Sequence, residues 1–195
     1  MAAMVLLRGA AFLAFFYTAS SAPYFLEADE FAETLKVEDD MSRVMSRTIS
    51  QNDRNLWLKK GESVTMKFCL DVEAFVKIRN IFWANDGWLD TIVIKINDKP
   101  IGNFSTNDNS NWGELWNTLS ESGPVGDEIN LPSGEHTLTL EVPEADFYGV
   151  EIDKVILEVD GMLTDQGLAC IDAKDEADDL DVGDMKTEDK TGHDC

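Results

Sequence analysis

The chain is poor in bases, in histidine and in cysteine. Its 195 residues hold 16 Lys plus Arg against 38 Asp plus Glu, a formal net charge of −22. So few cations exclude nucleic acid and anionic membrane as partners, because both require a cationic face that displaces counterions. Two histidines and three cysteines leave little material for a zinc site. Neither His136 nor His193 stands in a catalytic motif, and Gly-x-Ser-x-Gly, His-Glu-x-x-His and phosphate-loop patterns are missing. Carboxylate pairs are abundant from composition alone, so they do not specify a glycosidase. The sequence therefore reads as non-enzymatic. What it does have is a 44% hydrophobic fraction, enough to build a real core in one domain with tails.

Residues 1–22 carry a single charge, Arg8, then an apolar run from Ala10 to Tyr17, then the small residues Ala19, Ser20, Ser21 and Ala22. That order predicts a secretory signal peptide, cut after Ser21 or after Ala22, with Pro23 disfavouring the second. The apolar run is far shorter than a bilayer span, and no later stretch is apolar enough to be one. The expected localisation is secreted and extracellular. In that compartment Cys69, Cys170 and Cys195 can form disulfides. Cys69 shares its side of an alternating stretch with Thr65, Lys67 and Asp71, and so is expected to face outward. The reading favours Cys69–Cys170, which leaves Cys195 free or pairing between chains as a disulfide-linked dimer. Cys170–Cys195 closes a shorter loop and is the alternative.

From Glu62 to Asp160 apolar and polar residues repeatedly alternate, the mark of strands with one buried face. Val64, Met66, Phe68 and Leu70 form one such set, and Ile92, Ile94 and Ile96 another. Leu138, Leu140 and Val142 follow, then Val155, Leu157 and Val159. Turn signals separate them, among them Lys60-Gly61, Asn97-Asp98-Lys99-Pro100 and Pro132-Ser133-Gly134. No helical stripe follows the signal segment. The fold class expected is all-β, an antiparallel β-sandwich or jelly roll. The domain spans residues 23–165 and is followed by an acidic tail, 166–195. Residues 171–195 hold ten acids, three lysines and no aromatic, and are expected to be disordered. The spacing of an EF-hand is absent from the tail, which leaves weak multi-ion calcium association or plain solvation.

Six segments in order resemble carbohydrate-binding modules of families six and thirty-five, which have a galactose-binding-like jelly roll. Leu26-Glu27-Ala28-Asp29-Glu30-Phe31 is similar to their opening Glu-Ala-Glu strand. Arg79-Asn80-Ile81-Phe82-Trp83-Ala84-Asn85 is similar to their Arg-Tyr-Ala-Asn stretch, with an insertion and Trp for Tyr. Ile96-Asn97-Asp98-Lys99-Pro100-Ile101 resembles their Val-Asn-Gly hairpin, and Trp112-x-x-x-Trp116 a Trp-x-x-Trp one residue shorter. Leu131-Pro132-Ser133-Gly134-Glu135-His136-Thr137-Leu138 and the segment from Gly149 to Leu157 complete the series. The similarity covers Phe25 to Val159.

The resemblance implies a structural calcium held by Glu27, Asp29 and Asp153. Glu27 and Asp29, two apart on one strand, would present both carboxylates to one face. It also implies a sugar site among the loops at one end of the sandwich, where aromatic planes accept the C–H face of a pyranose. Trp83 and Trp112 stand at the two aromatic positions. Asn85 and Trp88 lie in the first loop, Glu114 beside the second aromatic, and Asp146 and Tyr148 in the last loop, where the family has Asn. Trp112, in a polar loop, is the foremost ligand contact; Trp83 is open between platform and core; Trp88 is a contact or a plug for the sandwich end. Trp57 and Trp116 read as core. Asn103-Phe104-Ser105 is a glycosylation sequon.

Three function classes follow. The first is a lectin-like module binding a glycan or glycoprotein. The second is an acidic extracellular or biomineral matrix protein that uses the sandwich and tail for calcium or matrix association. The third is a protein ligand or adaptor acting through the loop end.

Overall fold

Apolar side chains at alternate positions commit the chain to strands, and two such surfaces closing on each other make the core. The computed structural model describes residues 22–37, 39, 41–50, 52–107, 115–160 and 170. Residues 1–21 of the signal segment expected over 1–22, residues 108–114 with Trp112 and Glu114, and the acidic residues 171–195 with Cys195 lie outside the described residues.

Eleven strands are described. They are β1 (Ala22–Glu27), β2 (Val44–Ser46), β3 (Arg54–Leu58), β4 (Ser63–Leu70), β5 (Ala74–Ala84), β6 (Thr91–Ile96), β7 (Lys99–Ser105), β8 (Ser120–Glu121), β9 (Val125–Leu131), β10 (Gly134–Glu144) and β11 (Val150–Asp160). Every described pairing is antiparallel. The smaller sheet runs β4-β10-β6-β7. The larger runs β2-β3-β11-β5-β8, with β1 also on β11 and β9 also on β5. The antiparallel β-sandwich expected from the alternation is thus the observed architecture. Two short 3-10 helices depart from the all-strand expectation, Ala28–Thr34 and Leu115–Asn117.

The smaller sheet follows the period-two pattern without interruption. Leu138 of β10 lies between Met66 and Ile96, and Leu140 lies between Val64 and Ile94. All six side chains are buried. Burying an apolar side chain at each of those positions stabilises the fold by about 1.5–3 kcal/mol.

The larger sheet keeps its apolar face inward only by inserting extra residues. In β11 the inward positions are Val150 and Ile152, then Val155, Leu157 and Val159, so the parity changes between 152 and 155. The register against β5 slips at that point, Ile152 facing Trp83 and Lys154 facing Phe82, which makes Asp153 the bulged residue. β5 changes parity likewise, from Val76 and Ile78 to Ile81 and Trp83, with its slip at Arg79.

Cys69 and Cys170 form a disulfide with Cα atoms 5.0 Å apart, across a sequence separation of 101. Cys69 lies at the end of β4, half-buried and opposite Glu135. His136 has a structural place. It is buried beside Phe68, with Nδ1 2.9 Å from Asn97 Nδ2 and Nε2 2.8 Å from the Pro132 carbonyl. That network assigns the proton to Nε2.

Candidate functional site

Two polar constructions stand out against the apolar core: a carboxylate cluster on the flank of β11, and a set of loops at one end of the sandwich.

The cluster exists because β11 changes neighbours. Along one edge it pairs with β3 over Val150–Ile152 and with β1 from Lys154 onward, so Asp153 falls in the gap. Glu27 closes β1 opposite Lys154, and Asp29 follows it. Asp29 is not on the strand, as the sequence reading expected; it lies in the first turn of the 3-10 helix. The turn still brings it to the cluster, where Asn52 Nδ2 reaches Asp29 Oδ1 at 2.7 Å and Arg54 lies 2.7 Å from Oδ2. Asp153 is fully buried, with the Lys154 ammonium 3.3 Å from its Oδ2. Among the described residues, no hydrogen-bond partner reaches the buried Glu27 Oε2 or Asp153 Oδ1. Burial raises the carboxyls of both Glu27 and Asp153, against the pull of Lys154. Partnerless, desolvated carboxylate oxygens are the donor chemistry a hard cation requires. Among the described residues, however, no three acids, histidines or cysteines converge to metal-binding distance, and Arg54 and Lys154 stand among the carboxylates.

The loop end gathers the connections β3–β4, β5–β6 and β10–β11, together with the approach to β2. A groove of about 540 Å³ opens there between Trp57, Lys59, Lys60, Met41 and the aromatic pair Phe147–Tyr148. Trp57 forms its wall, which corrects its assignment to the core. Leu56 and Leu58 on either side are buried, so strand alternation turns Trp57 to the opposite face. The indole is fixed from three directions. Nε1 donates to the Tyr148 carbonyl at 2.5 Å, the Arg43 guanidinium lies 5.3 Å from the ring centroid, and the Lys59 ammonium 4.5 Å. Arg43 is itself buried and held by Glu62 through Nε and Nη2 at 3.1 and 2.5 Å.

Asp146 organises the end. Its Oδ1 accepts the Tyr148 and Gly149 amides at 2.7 and 3.0 Å, and its Oδ2 accepts the Trp88 amide at 2.8 Å. Its own amide donates to Asp90 Oδ1 at 2.9 Å. Two glycines make room. A Cβ on Gly87 would lie 2.0 Å from Asp146 Oδ2, and one on Gly149, at φ +70°, would lie 2.2 Å from the Leu58 carbonyl.

The structure separates the predicted ligand residues. Trp83 is 3% exposed, an inward residue of β5 against Phe104, so the Arg79 bulge makes it core and not a platform. Asn85 is 2% exposed, with Nδ2 donating to the Trp88 carbonyl at 2.6 Å and to Thr106 Oγ1 at 2.8 Å, so its amide braces the loop from within. Asp146 lines the groove, but both oxygens already take backbone amides. Tyr148 and Trp88 are exposed, and Phe147, which the prediction passed over, is 88% exposed. Trp116 is half-buried with Arg47 over its ring at 5.8 Å, not core. Trp112 and Glu114 lie outside the described residues. Asn103 and Ser105 of the sequon are exposed on β7, an edge strand of the smaller sheet.

No protein-family model matches the sequence, and no curated protein matches it. In three dimensions the chain has the β-sandwich jelly roll of carbohydrate-binding modules. A family 35 module from Cellvibrio japonicus is similar at a TM-score of 0.51 and 17% identity, over 72% of this chain and 95% of that one. A family 35 module from Clostridium thermocellum is similar at a TM-score of 0.50 and 13% identity, over 70% and 97%. An exo-β-1,3-galactanase from Phanerochaete chrysosporium is also similar, at a TM-score of 0.47 and 20% identity over 71% of this chain; the chain spans 29% of that enzyme's length.

Proposed function

We propose that the protein is a secreted, non-catalytic glycan-binding module whose site is the loop-end groove. The observation that carries this reading is Trp57, a half-exposed indole held by a hydrogen bond and two cations at the mouth of a groove. A sugar needs an apolar plane for its C–H face and polar groups around the ring for its hydroxyls. Trp57 and Tyr148 supply the first; Lys59 and Lys60 supply donors for the second. Lys59 is only half-buried and its flexible stem lets the ammonium leave the ring when a sugar arrives.

The proposal extends to a structural calcium ion at the carboxylate cluster. Glu27, Asp29 and Asp153 would hold it by drawing together as Arg54 and Lys154 turn away, since in the ion-free arrangement they do not converge to metal-binding distance. Support for this is the partnerless buried oxygens of Glu27 and Asp153, together with the raised carboxyls of the same two residues. Asn103 is assigned a glycan, since its exposed strand position is open to modification.

The test is a glycan array probed with the secreted chain and with Trp57→Ala. Binding to at least one saccharide class, reduced tenfold or more by the substitution, is the expected result; about tenfold is what one aromatic contact contributes. Undiminished binding by the variant would remove the groove from the reading.

A further inference from the structure

The loop-end groove carries positive charge in a chain that is otherwise strongly acidic. Lys59-Lys60 is the only pair of adjacent bases in a sequence of net charge −22, and both residues line the groove. Lys59 is half-buried, 3.5 Å from Asp39. Lys60 is exposed and, among the described residues, has no ion pair. Lys77 and Arg79, the nearest thing to a second basic pair, differ in setting, since Lys77 stands opposite Glu158 in the larger sheet. The groove is also lined by Met41 and Phe147, 57% and 88% exposed. Exposed apolar surface beside two ammonium groups suits a segment that interleaves aliphatic side chains with carboxylates.

The chain's own tail contains such a segment. From Asp175 to Asp184 it runs Asp-Glu-Ala-Asp-Asp-Leu-Asp-Val-Gly-Asp, six acids without a base. Leu180 stands between Asp179 and Asp181, and Val182 follows Asp181. The rest of residues 171–195 holds four acids against three lysines, so the charge of the tail is concentrated in this run. The tail starts at Cys170, which is bonded to Cys69. Cys69 lies six residues, or ~20 Å, along β4 from Ser63, and Lys59 and Lys60 come just before that strand. Ten residues lead from Cys170 to Leu180, and an extended chain of that length spans about 33 Å. The run is therefore long enough, and starts close enough, to reach the groove of its own sandwich.

We propose that residues 175–184 dock into the Trp57 groove of the same chain and that a glycan must displace them to bind. Carboxylates of the run meet Lys59 and Lys60, and Leu180 and Val182 cover the apolar lining. The competition rests on the glycan-binding reading above; the contact itself does not. Each ion pair and each aliphatic contact is weak alone, but the tether compensates. It holds the run near the groove at an effective concentration on the order of 1 mM, so a contact with a dissociation constant of about 0.2 mM between separate molecules would fill about five grooves in six.

The experiment follows the Trp57 indole N–H signal of the full secreted chain, free of glycan, by nuclear magnetic resonance, with the signal assigned from Trp57→Ala. One full-length variant neutralises the run through Asp175→Asn, Glu176→Gln, Asp178→Asn, Asp179→Asn, Asp181→Asn and Asp184→Asn. A control variant carries Glu188→Gln, Asp189→Asn and Asp194→Asn. The unaltered chain and the control are expected to share one Trp57 position and the neutralised run to show another. Raising salt from about 0.05 M to about 1 M should bring the first two to the third, because charges are then screened within ~3 Å. On any saccharide bound in the array, the neutralised run should bind about sixfold more tightly than the unaltered chain, the factor that five filled grooves in six implies. A Trp57 signal identical in all these proteins overturns the inference and leaves glycan binding standing. A difference that grows with protein concentration puts the tail of a second copy in the groove and overturns the contact within one chain. A moved Trp57 signal with equal saccharide affinities overturns the competition. A moved signal with no saccharide bound supports the contact and counts against the glycan-binding reading alone.

Discussion

Asp90 shows how a single buried acid sets conditions for the loop end. It has no exposed surface, its Oδ1 accepts the Asp146 amide at 2.9 Å, and Thr106 Oγ1 lies 3.4 Å from Oδ2. Burial raises its carboxyl to about 6, the Asp146 amide and Thr106 hydroxyl opposing the rise and the Asp146 charge adding to it. An acid with a higher value in the fold than in the unfolded chain holds its proton more tightly when folded. Its contribution is whole below pH ~4 and is lost as pH rises through about 6. Between pH 7 and pH 5 this amounts to about 1 kcal/mol of added stability from Asp90. Asp90→Asn should lack that increment, read as a smaller difference between urea unfolding curves at the two pH values. Equal differences in the two proteins would show that Asp90 is already ionised at pH 5.

At the scale of the element, the decisive features are the two bulges and the turn between β2 and β3. Alternation in β4, β6 and β10 could be read directly from the sequence, because nothing interrupts the period of two. In β5 and β11 the same rule misleads after Arg79 and Asp153, since one inserted residue exchanges inside for outside. That is why Trp83 could not be assigned from its neighbours. Trp57 was readable in principle: Leu56 and Leu58 define the inward face and leave Trp57 on the other, but the three together look like a short apolar run. The carboxylate cluster was legible as residue types through the family resemblance, whereas the 3-10 turn at Asp29 and the cations Arg54 and Lys154 come from distant pairings. The remaining predicted contacts, Trp112 and Glu114, fall in residues 108–114, outside the described residues.

The β2–β3 turn also joins elements far apart in sequence. Arg47, just after β2, donates through Nε to Glu151 Oε2 at 2.8 Å and through Nη2 to Oε1, and it covers the Trp116 ring. Glu151 is buried on β11, and among the described residues its one further side-chain hydrogen bond comes from Asn55 at 3.2 Å. Arg47→Met keeps the packing stem but strands the carboxylate, a loss of about 3 kcal/mol or more in chemical unfolding. Adding Glu151→Gln should recover part of it; a double variant no more stable than Arg47→Met would mean that Trp116 packing, not charge, is the main loss.

For the whole molecule the governing quantity is charge. Of the net −22, residues 171–195 account for ten acids and three lysines, and residues 23–170 hold 28 acids against 12 bases. Some of those acids are buried in one cluster, so a cation there acts on the stability of the entire sandwich. With free calcium at a hundred times its dissociation constant, linkage predicts a gain of about 2.7 kcal/mol over the chelated protein, seen as a rise in melting temperature. Asp153→Asn should abolish the rise. A melting temperature indifferent to calcium would dismiss Glu27, Asp29 and Asp153 as ligands.

The Cys69–Cys170 bond has a consequence for presentation. The groove lies at the Ser63 end of β4 and the disulfide at the other, six residues or ~20 Å along the strand. Ala22, paired with Val159 near the close of β11, is at that same far pole. The described chain therefore starts and leaves on one side of the sandwich and offers its aromatic loops on the other. Anchored by either end, to a bead, a larger polypeptide or an extracellular scaffold, the domain would point its two indoles outward like the head of a pin.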